Sequence, residues 1–390
     1  MLTPQFLEFA PLEVTGLMLR LQDWTINRIG RGLSTIGEFT SSNAFLYTKL
    51  QQQDLFMRDF RQELARVTGL TRTEIDRLID RAARANHISD RKVFQDRGIP
   101  FTPFNQNHTV QSFTRNITEV TQGVMTNITS SMGFAVDTPT GKQFQPIARF
   151  YQRELDFAST KVYTGVQTFD GALKESIRRM VDSGVRTVDY STGHQDRIDV
   201  AARRAVMGSM RDLTNAQAEY NANLIDSNVF EISWHSGFRP SHAWGGLRFD
   251  TTGQLYPTEM QLYQQHTALD GEVGTLGDYN CYHEKYAVFP DAPTAYTKKQ
   301  LEELNAREKV KREFNGRQFD QFEARQQQRH LERGMRRQQS LIAGLEGAGL
   351  TEDVKLAKTK MRIMRRLYRD FSDAMGLPKE FERINTGFAA

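Results

Sequence analysis

The central stretch of the chain, residues 234–290, constrains the fold most, because it concentrates residue types that are rare elsewhere in the sequence. It holds four of the eight histidines, the only cysteine and two of the three tryptophans. Long helical patterns lie on both sides of it. We therefore expect the flanking helices to support one compact segment that carries any specialised chemistry. The concentrated residues are Trp234, His235, His242, Trp244, His266, Cys281 and His283.

The composition is ordinary for a soluble chain, with 25% charged and 38% hydrophobic residues. A single cysteine excludes intramolecular disulfide bonds and favours a reducing compartment. The sequence contains no run of about 18 apolar residues, so no membrane-spanning helix is predicted. The net charge of +4 is unevenly distributed, since residues 298–370 hold 19 Lys and Arg against 11 Asp and Glu. This basic segment indicates either a polyanion partner or a solvated helical face.

Residues 1–140 predict amphipathic helices that form an N-terminal arm. Apolar spacing predicts a helix over residues 11–37 and a second helix that ends at Gly69. Thr71 followed by Glu74 has capping-box spacing and predicts the start of a third helix. The arm is either a self-contained bundle or a docking element of a larger assembly, and periodicity does not separate the two.

Residues 141–296 predict a compact middle domain of mixed structure. Helical patterns dominate residues 145–225. Two short segments rich in β-branched and aromatic residues, 230–234 and 286–289, are expected to pair as strands and to join the two halves of the central stretch. With the helices around this short sheet, the sequence predicts an α+β fold that is predominantly helical.

Residues 297–390 predict a basic helical tail. Thr297 and Gln300 form another capping-box pattern at its start. The charged, glutamine-rich stretch that follows is interrupted by Gly316 and is expected to form a long, exposed helix that spans a surface or pairs with another helix. A further basic amphipathic helix is predicted over residues 351–375.

Two chemical interpretations of the central stretch depend on its cysteine and histidines. His235, His242, Cys281 and His283 supply four potential zinc ligands, although their spacing is not that of a standard zinc finger. Cys281 with a nearby histidine and Asn280 has the residue types of a cysteine hydrolase, but no local signature of such an enzyme surrounds it.

A structural role is favoured over both, because the stretch contains no complete set of catalytic or metal-binding groups. Its glycines permit tight turns, its tryptophans offer an aromatic core, and its polar side chains can tie loops together. No catalytic residue and no cofactor is predicted, with zinc the one cofactor left open. The residues of this structural motif are Trp234, His235, Gly237, Arg239, Pro240, His242, Trp244, Gly246, Asn280, Cys281 and His283.

Two sequence motifs together resemble the phage minor capsid protein 2 family. They read HSGFRPSHAWGGLRF from His235 and YNCYHEKYAVFPDAP from Tyr279. The family has a His-x-Gly-x-Arg-Pro-x-His element and then an Asn-Cys-Arg-His element, so Tyr282 stands where an arginine is usual. The resemblance covers roughly residues 145–340. The chain is also similar in character to the Mu F-like head morphogenesis proteins.

The resemblance implies a structural protein of the phage head, made in the bacterial cytoplasm and located in the virion at or near the portal vertex. It implies the portal protein or the major capsid protein as partners and no membrane, with a homo-oligomer left open. The basic tail could lie against packaged double-stranded DNA without sequence preference. The alternative is an enzyme or toxin-like effector carried in the head, which would use Cys281 and the histidines.

Overall fold

The computed structural model describes residues 1–35, 42–189, 192–266, 274–278 and 281–384, with the backbone alone for 42–48. Helices make up most of the described chain, which confirms the predicted fold class. They are α1 (Pro4–Phe9), α2 (Leu12–Ser34), α3 (Ser42–Gln95), α4 (His108–Ser130), α5 (Ile147–Tyr163), α6 (Phe169–Ser183), α7 (Ile198–Leu224), α8 (Glu259–Gln265), α9 (Lys298–Glu308), α10 (Gln321–Gly347) and α11 (Thr351–Met375).

Short strands form small antiparallel sheets between these helices. The strand order is β2-β1-β3-β4 in the first sheet and β6-β5-β7 in the second, and β8 and β9 form a hairpin. The strands are β1 (Met132–Thr138), β2 (Gly141–Pro146), β3 (Arg186–Val188), β4 (Gln195–Arg197), β5 (Val229–Ile232), β6 (Arg248–Asp250), β7 (Lys285–Ala287), β8 (Arg312–Phe314) and β9 (Arg317–Phe319).

Helix α3 runs without a break through Gly69, so the predicted end of one helix there and the capping box at Thr71 are wrong. The Thr71 hydroxyl donates to the carbonyl of Val67 at 2.8 Å, one turn back in the same helix. Val67, Thr71 and Ile75 are all buried and share one face at four-residue spacing. This continuous packing outweighs the roughly 1 kcal/mol that a glycine costs inside a helix.

The predicted strand pair is confirmed, with both strands shorter than expected. In the ladder between β5 and β7, Phe230 lies opposite Ala287. In the tail, the interruption at Gly316 is the turn of the β8–β9 hairpin, where Asn315 has φ 50° and Gly316 has φ 76°. Two successive residues with positive φ suit a two-residue hairpin turn, for which Asn-Gly is strongly preferred.

One hydrophobic core draws on all three segments of the sequence. Its buried members include Leu21 of α2, Ile177 of α6, Leu213 of α7 and Leu345 of α10. The predicted boundaries near residues 140 and 296 therefore do not divide this core, and the three-part organisation stays a prediction. Within the described ranges, each helix is too short or too polar to cross a lipid bilayer.

Helix α10 pairs with α2, which is one of the two arrangements expected for the glutamine-rich stretch. The expected long, exposed helix is wrong, because the β8–β9 hairpin divides the stretch and Met335 and Ala343 of α10 are buried. The helices approach closely at two glycines, because a Cβ atom on Gly30 would lie 2.6 Å from the carbonyl oxygen of Gly344. Nearby, the amide of Asn27 donates to the carbonyl of Ala343 at 2.8 Å in a buried contact. Small side chains and satisfied polar groups thus let a charged, glutamine-rich helix enter the core.

The α2–α10 contact gives a stability prediction. Gly30→Ala should lower the free energy of unfolding by about 1–3 kcal/mol, because the added methyl group meets backbone that cannot move alone. Gly16→Ala in the same helix is the matched control, since its Cβ would have no atom within 4 Å. It should be neutral or stabilising by up to about 1 kcal/mol. Urea unfolding measures the free energy of unfolding of both variants. Equal changes in Gly30→Ala and Gly16→Ala would contradict the close approach of α2 and α10.

Candidate functional site

Ser233, two residues before the first sequence motif, ties that motif to the second. Its backbone N–H donates to the carbonyl of Glu284 at 2.8 Å, and the Glu284 N–H donates to the Ser233 hydroxyl at 2.9 Å. The Nδ1 atom of His283 lies 2.6 Å from the Ser233 carbonyl. Because a carbonyl only accepts, Nδ1 carries the proton. The motifs therefore meet as a continuation of the β5–β7 ladder.

The His283 ring lies at the centre of a group of aromatic side chains. Its centroid is 4.2 Å from that of His235, 4.7 Å from that of Trp244 and 5.7 Å from that of His242. A Cβ on Gly245 would lie 2.6 Å from Cε1 of His283. This close contact explains the glycine at position 245 of the Trp-Gly-Gly sequence, since any side chain there would collide with the imidazole.

Trp244 anchors the loop between β5 and β6. Its side chain is fully buried, its indole N–H donates to the carbonyl of Gly274 at 3.1 Å, and its ring stacks on His242 at 4.8 Å. Pro240 opens the short helical turn Pro240–His242 just before it. Gly246, with φ 85°, reverses the chain toward β6 in a conformation that other residues rarely adopt.

Helix α9 holds the start of the first motif from outside. The Trp234 indole N–H donates to the side-chain carbonyl of Asn305 at 3.0 Å, and the backbone N–H of Gly237 donates to the Glu308 carboxylate. Thr297 and Gln300 form the capping box that begins this helix, as predicted. The helix that opens the tail is therefore a support for the central loops.

A buried ion pair that the sequence did not indicate fixes the chain after β7. The Arg248 guanidinium and the Glu231 carboxylate lie 2.7 Å apart, with side chains 3% and 1% exposed. Arg248 also donates to the carbonyls of Ala292 and Pro293, both at 2.9 Å. Such a pair resists removal of either partner, because the other would be left as an unpaired buried charge.

Burial keeps the central titratable groups neutral. Loss of solvation lowers the pKa of His235 to about 4 and lowers that of His283 well below its ordinary value. It also lowers the pKa of His242, although Asp278 opposes the shift from 3.3 Å. Burial raises the pKa of Cys281 to about 11. The imidazoles are therefore uncharged at neutral pH, and the cysteine is a thiol.

The four candidate zinc ligands lie in one region. Among the residues that the structure describes, no group of three or more His, Cys, Asp or Glu side chains is placed to hold a metal ion. Nδ1 of His283 faces the Ser233 carbonyl and Nε2 of His242 faces Asp278, so both atoms already have protein partners. Asn280, assigned to the motif from the sequence, lies outside the described residues.

A cavity of about 580 Å³ opens beside the histidines, between α7 and the two motifs. Arg239 and Cys281 contribute to its lining from the loops, and Arg203, Arg204 and Arg211 contribute from α7. Sequence reasoning missed the three helical arginines. The spacing of Arg204 and Arg211 could have shown that these two share one side of a helix, but it does not reveal that this side faces the loops.

Tyr282, the departure from the family motif, lies among arginines. Its hydroxyl oxygen accepts from Arg203 at 2.6 Å and from Arg329 at 3.1 Å. A guanidinium at this position would add a third positive charge to the pair. The phenol instead offers an acceptor, so the substitution matches its surroundings.

Comparison with protein-family models adds an independent finding. The model for phage minor capsid protein 2 matches residues 2–373 of the chain. No curated protein and no solved structure gives a significant match. The family match includes both motifs and extends beyond residues 145–340, where the sequence resemblance was recognised.

The buried histidines predict a loss of stability in acid. Because the folded state holds the pKa of His235 near 4 against an ordinary 6.5, only the unfolded state gains this proton as pH falls below 6.5. The contribution of the neutral His235 ring to the free energy of unfolding is fully present above that pH and is lost progressively toward pH 4. When the pH falls from about 7.5 to about 5, the free energy of unfolding should decrease by about 2 kcal/mol less in His235→Gln than in the unmodified protein.

Urea unfolding followed by tryptophan fluorescence at both pH values measures this difference. The control is His194→Gln, whose parent side chain is 62% exposed, and it should track the unmodified protein. The same acid sensitivity in the His235 variant and the unmodified protein would contradict a buried neutral imidazole.

Proposed function

Since the chain belongs to the phage minor capsid protein 2 family and is a structural component of the phage head, we propose that it lies at or near the portal vertex of a tailed phage. There it contacts the portal protein or the inner capsid wall, and it touches packaged DNA without sequence preference. The observation that carries the DNA contact is the charge of helix α11.

One side of α11 is a stripe of cations, formed by Lys355, Arg362, Arg366 and Arg369, which are all exposed. Their spacing of seven, four and three residues aligns them along the helix. The opposite side packs into the protein through Ala357, Met361 and Tyr368. Helix α11 therefore presents its charges outward from a fixed support, which suits contact with a polyanion.

The stripe continues into a groove between α10 and α11. This groove has a volume of about 930 Å³, and its lining includes Lys355, Lys358 and Arg362. Glu346 pairs with Lys358 at 2.6 Å and offsets part of this charge. Because Lys and Arg dominate the surface, its attraction for phosphates is independent of base sequence and falls with salt.

The N-terminal helices are the surface that we assign to protein partners. Helix α3 has 54 residues and is about 80 Å long at 1.5 Å per residue. On α4, which packs beside it, Val120 and Val124 are 67% and 41% exposed. Adjacent exposed valines one turn apart suit contact with another protein better than contact with DNA.

The DNA contact predicts a specific salt dependence. In the triple variant Arg362→Gln, Arg366→Gln and Arg369→Gln, the slope of log Kobs against log salt should shrink by about 2.7 for duplex DNA, at about 0.9 per lost phosphate contact. Fluorescence anisotropy of the full chain with unrelated duplexes measures the slope.

The matched control removes three exposed arginines from α3 and α4: Arg61→Gln, Arg77→Gln and Arg115→Gln. It should leave the slope unchanged. Equal losses in the two triple variants, or no binding at about 50 mM salt, would reject α11 as the DNA surface.

We assign no catalytic role to the cysteine. Burial raises the pKa of Cys281 to about 11, whereas a nucleophilic cysteine needs a lowered pKa. This favours a structural component over the head-carried enzyme or effector that the sequence left open.

Cys281→Ser separates these alternatives. It keeps the size of the side chain and removes the thiol, so phages that carry it should assemble normally and remain infectious. Particle composition and plaque counts from the same preparation measure the two properties. Particles of normal composition that fail to infect would contradict the structural assignment and support an enzyme or an ejected effector.

A further inference from the structure

The cavity between α7 and the two motifs has no role in the proposed DNA contact, which rests on α11. Its volume is about 580 Å³. Leu7, Val200 and Met207 give it an apolar wall, and Arg203, Arg204, Arg211 and Arg239 give it a cationic wall. A pocket with an apolar body and a few convergent polar groups is the usual form of a small-molecule site.

Fixed contacts position two of these arginines. Arg204 pairs with Asp196 at 2.8 Å. Arg211 pairs with Asp212 at 3.3 Å and donates to the carbonyl of Gly277 at 3.2 Å. Neither aspartate belongs to the cavity lining. Each guanidinium has five N–H donors in a rigid fork, so it can hold a protein oxygen and a ligand oxygen together.

Arg203 brings positive charge into the protein interior. It donates to the Tyr282 hydroxyl, a neutral partner, at 2.6 Å. Burial is the main cause that lowers the pKa of Arg203. The nearby cations Arg383 and Arg329 lower it further, whereas Tyr282 and Glu8 raise it. An anion in the cavity would add a negative partner for this guanidinium, because Arg383 and Arg329 bring further positive charge close to it.

Two carboxyl groups line the same cavity. Burial raises the pKa of Glu284 to about 8, so this group is mostly protonated at neutral pH. The pKa of Asp278 is lowered by hydrogen bonds from Thr275 and by His242, despite partial burial. Asp278 is thus the one lining carboxylate in the described residues that is fully charged at neutral pH, against four guanidinium groups.

His283 adds a second kind of recognition. His283 is one of the residues that line the cavity, and its Nε2 is shielded from solvent without a hydrogen-bond partner among the described residues. Because Nδ1 carries the proton toward Ser233, Nε2 is an acceptor. A bare anion cannot satisfy this atom, whereas a ligand with a hydroxyl or amino group can.

We propose that this cavity binds a phosphate monoester of nucleotide size, with its phosphate oxygens on the arginines and a hydroxyl or amino donor toward Nε2 of His283. The volume is suited to one nucleotide and is too small for a duplex, whose major groove alone is about 12 Å wide. The same chemistry has two sources: a free nucleotide, or the terminal nucleotide of a DNA strand that ends in a phosphate monoester.

Titration calorimetry of the full-length protein tests the site with AMP, inorganic phosphate and adenosine. AMP should bind saturably, phosphate more weakly, and adenosine undetectably. Arg211→Gln and Arg239→Gln should each weaken AMP binding about tenfold, the size expected for a lost charged hydrogen bond. Arg61→Gln on α3 is the control, since Arg61 is exposed and lies outside the cavity lining, and it should leave AMP binding unchanged.

Three results would overturn the proposal. They are the absence of AMP binding at about 1 mM, adenosine binding as tight as AMP binding, or equal weakening in Arg211→Gln, Arg239→Gln and the Arg61→Gln control. Circular dichroism of each variant shows whether it is folded. The two test arginines lie on different elements, so a folding defect in one variant leaves the other informative.

Competition with short single strands identifies the source. A strand with a terminal phosphate monoester that displaces AMP, beside an unphosphorylated strand that does not, assigns the site to a DNA end. Displacement by neither strand assigns it to a free nucleotide. Equal displacement by both strands would contradict the proposal, because the backbone and not the monoester would then be recognised.

Discussion

The hydrogen bond from Nδ1 of His283 to the carbonyl of Ser233 is the constraint on which the central region depends. It is 2.6 Å long and buried. It joins two motifs that are about fifty residues apart in sequence, and it fixes the ring against which His235 and Trp244 pack. Burial of the ring keeps the imidazole neutral, although the carbonyl acceptor by itself raises the pKa of His283. The walls of the arginine-lined cavity are positioned by the same loops.

The surrounding helices make this region a fixed part of the protein. Helix α10 enters the core through its close contact with α2 at Gly30 and Gly344, and α9 holds the first motif through Asn305. The surface cations of α11 lie on a helix whose other side is buried. The charge that we assign to packaged DNA and the charge inside the cavity are therefore carried by separate elements, and they can be altered independently.

Prediction from the sequence succeeded where a local sequence pattern was not opposed by packing against the rest of the protein. The strand pair, the capping box at Thr297 and the resemblance to a head-protein family were all recognisable, and each is confirmed. It failed at Gly69, where burial of Val67 and Ile75 on one face outweighed a local helix-breaking signal. It also missed the convergence of Arg203 with the motifs, because helical spacing shows which residues share a side and not what that side meets.

The account rests on the claim that the two motifs form a neutral structural centre. Nitrogen NMR of isotope-labelled histidines measures the tautomer and charge of His283 directly, with a His283→Asn variant to assign its signal. We predict a neutral ring protonated at Nδ1, unchanged from neutral pH down to about pH 5, where an ordinary histidine is mostly charged. An imidazolium signal at neutral pH, or shifts typical of a metal-bound Nε2, would contradict this account of the protein.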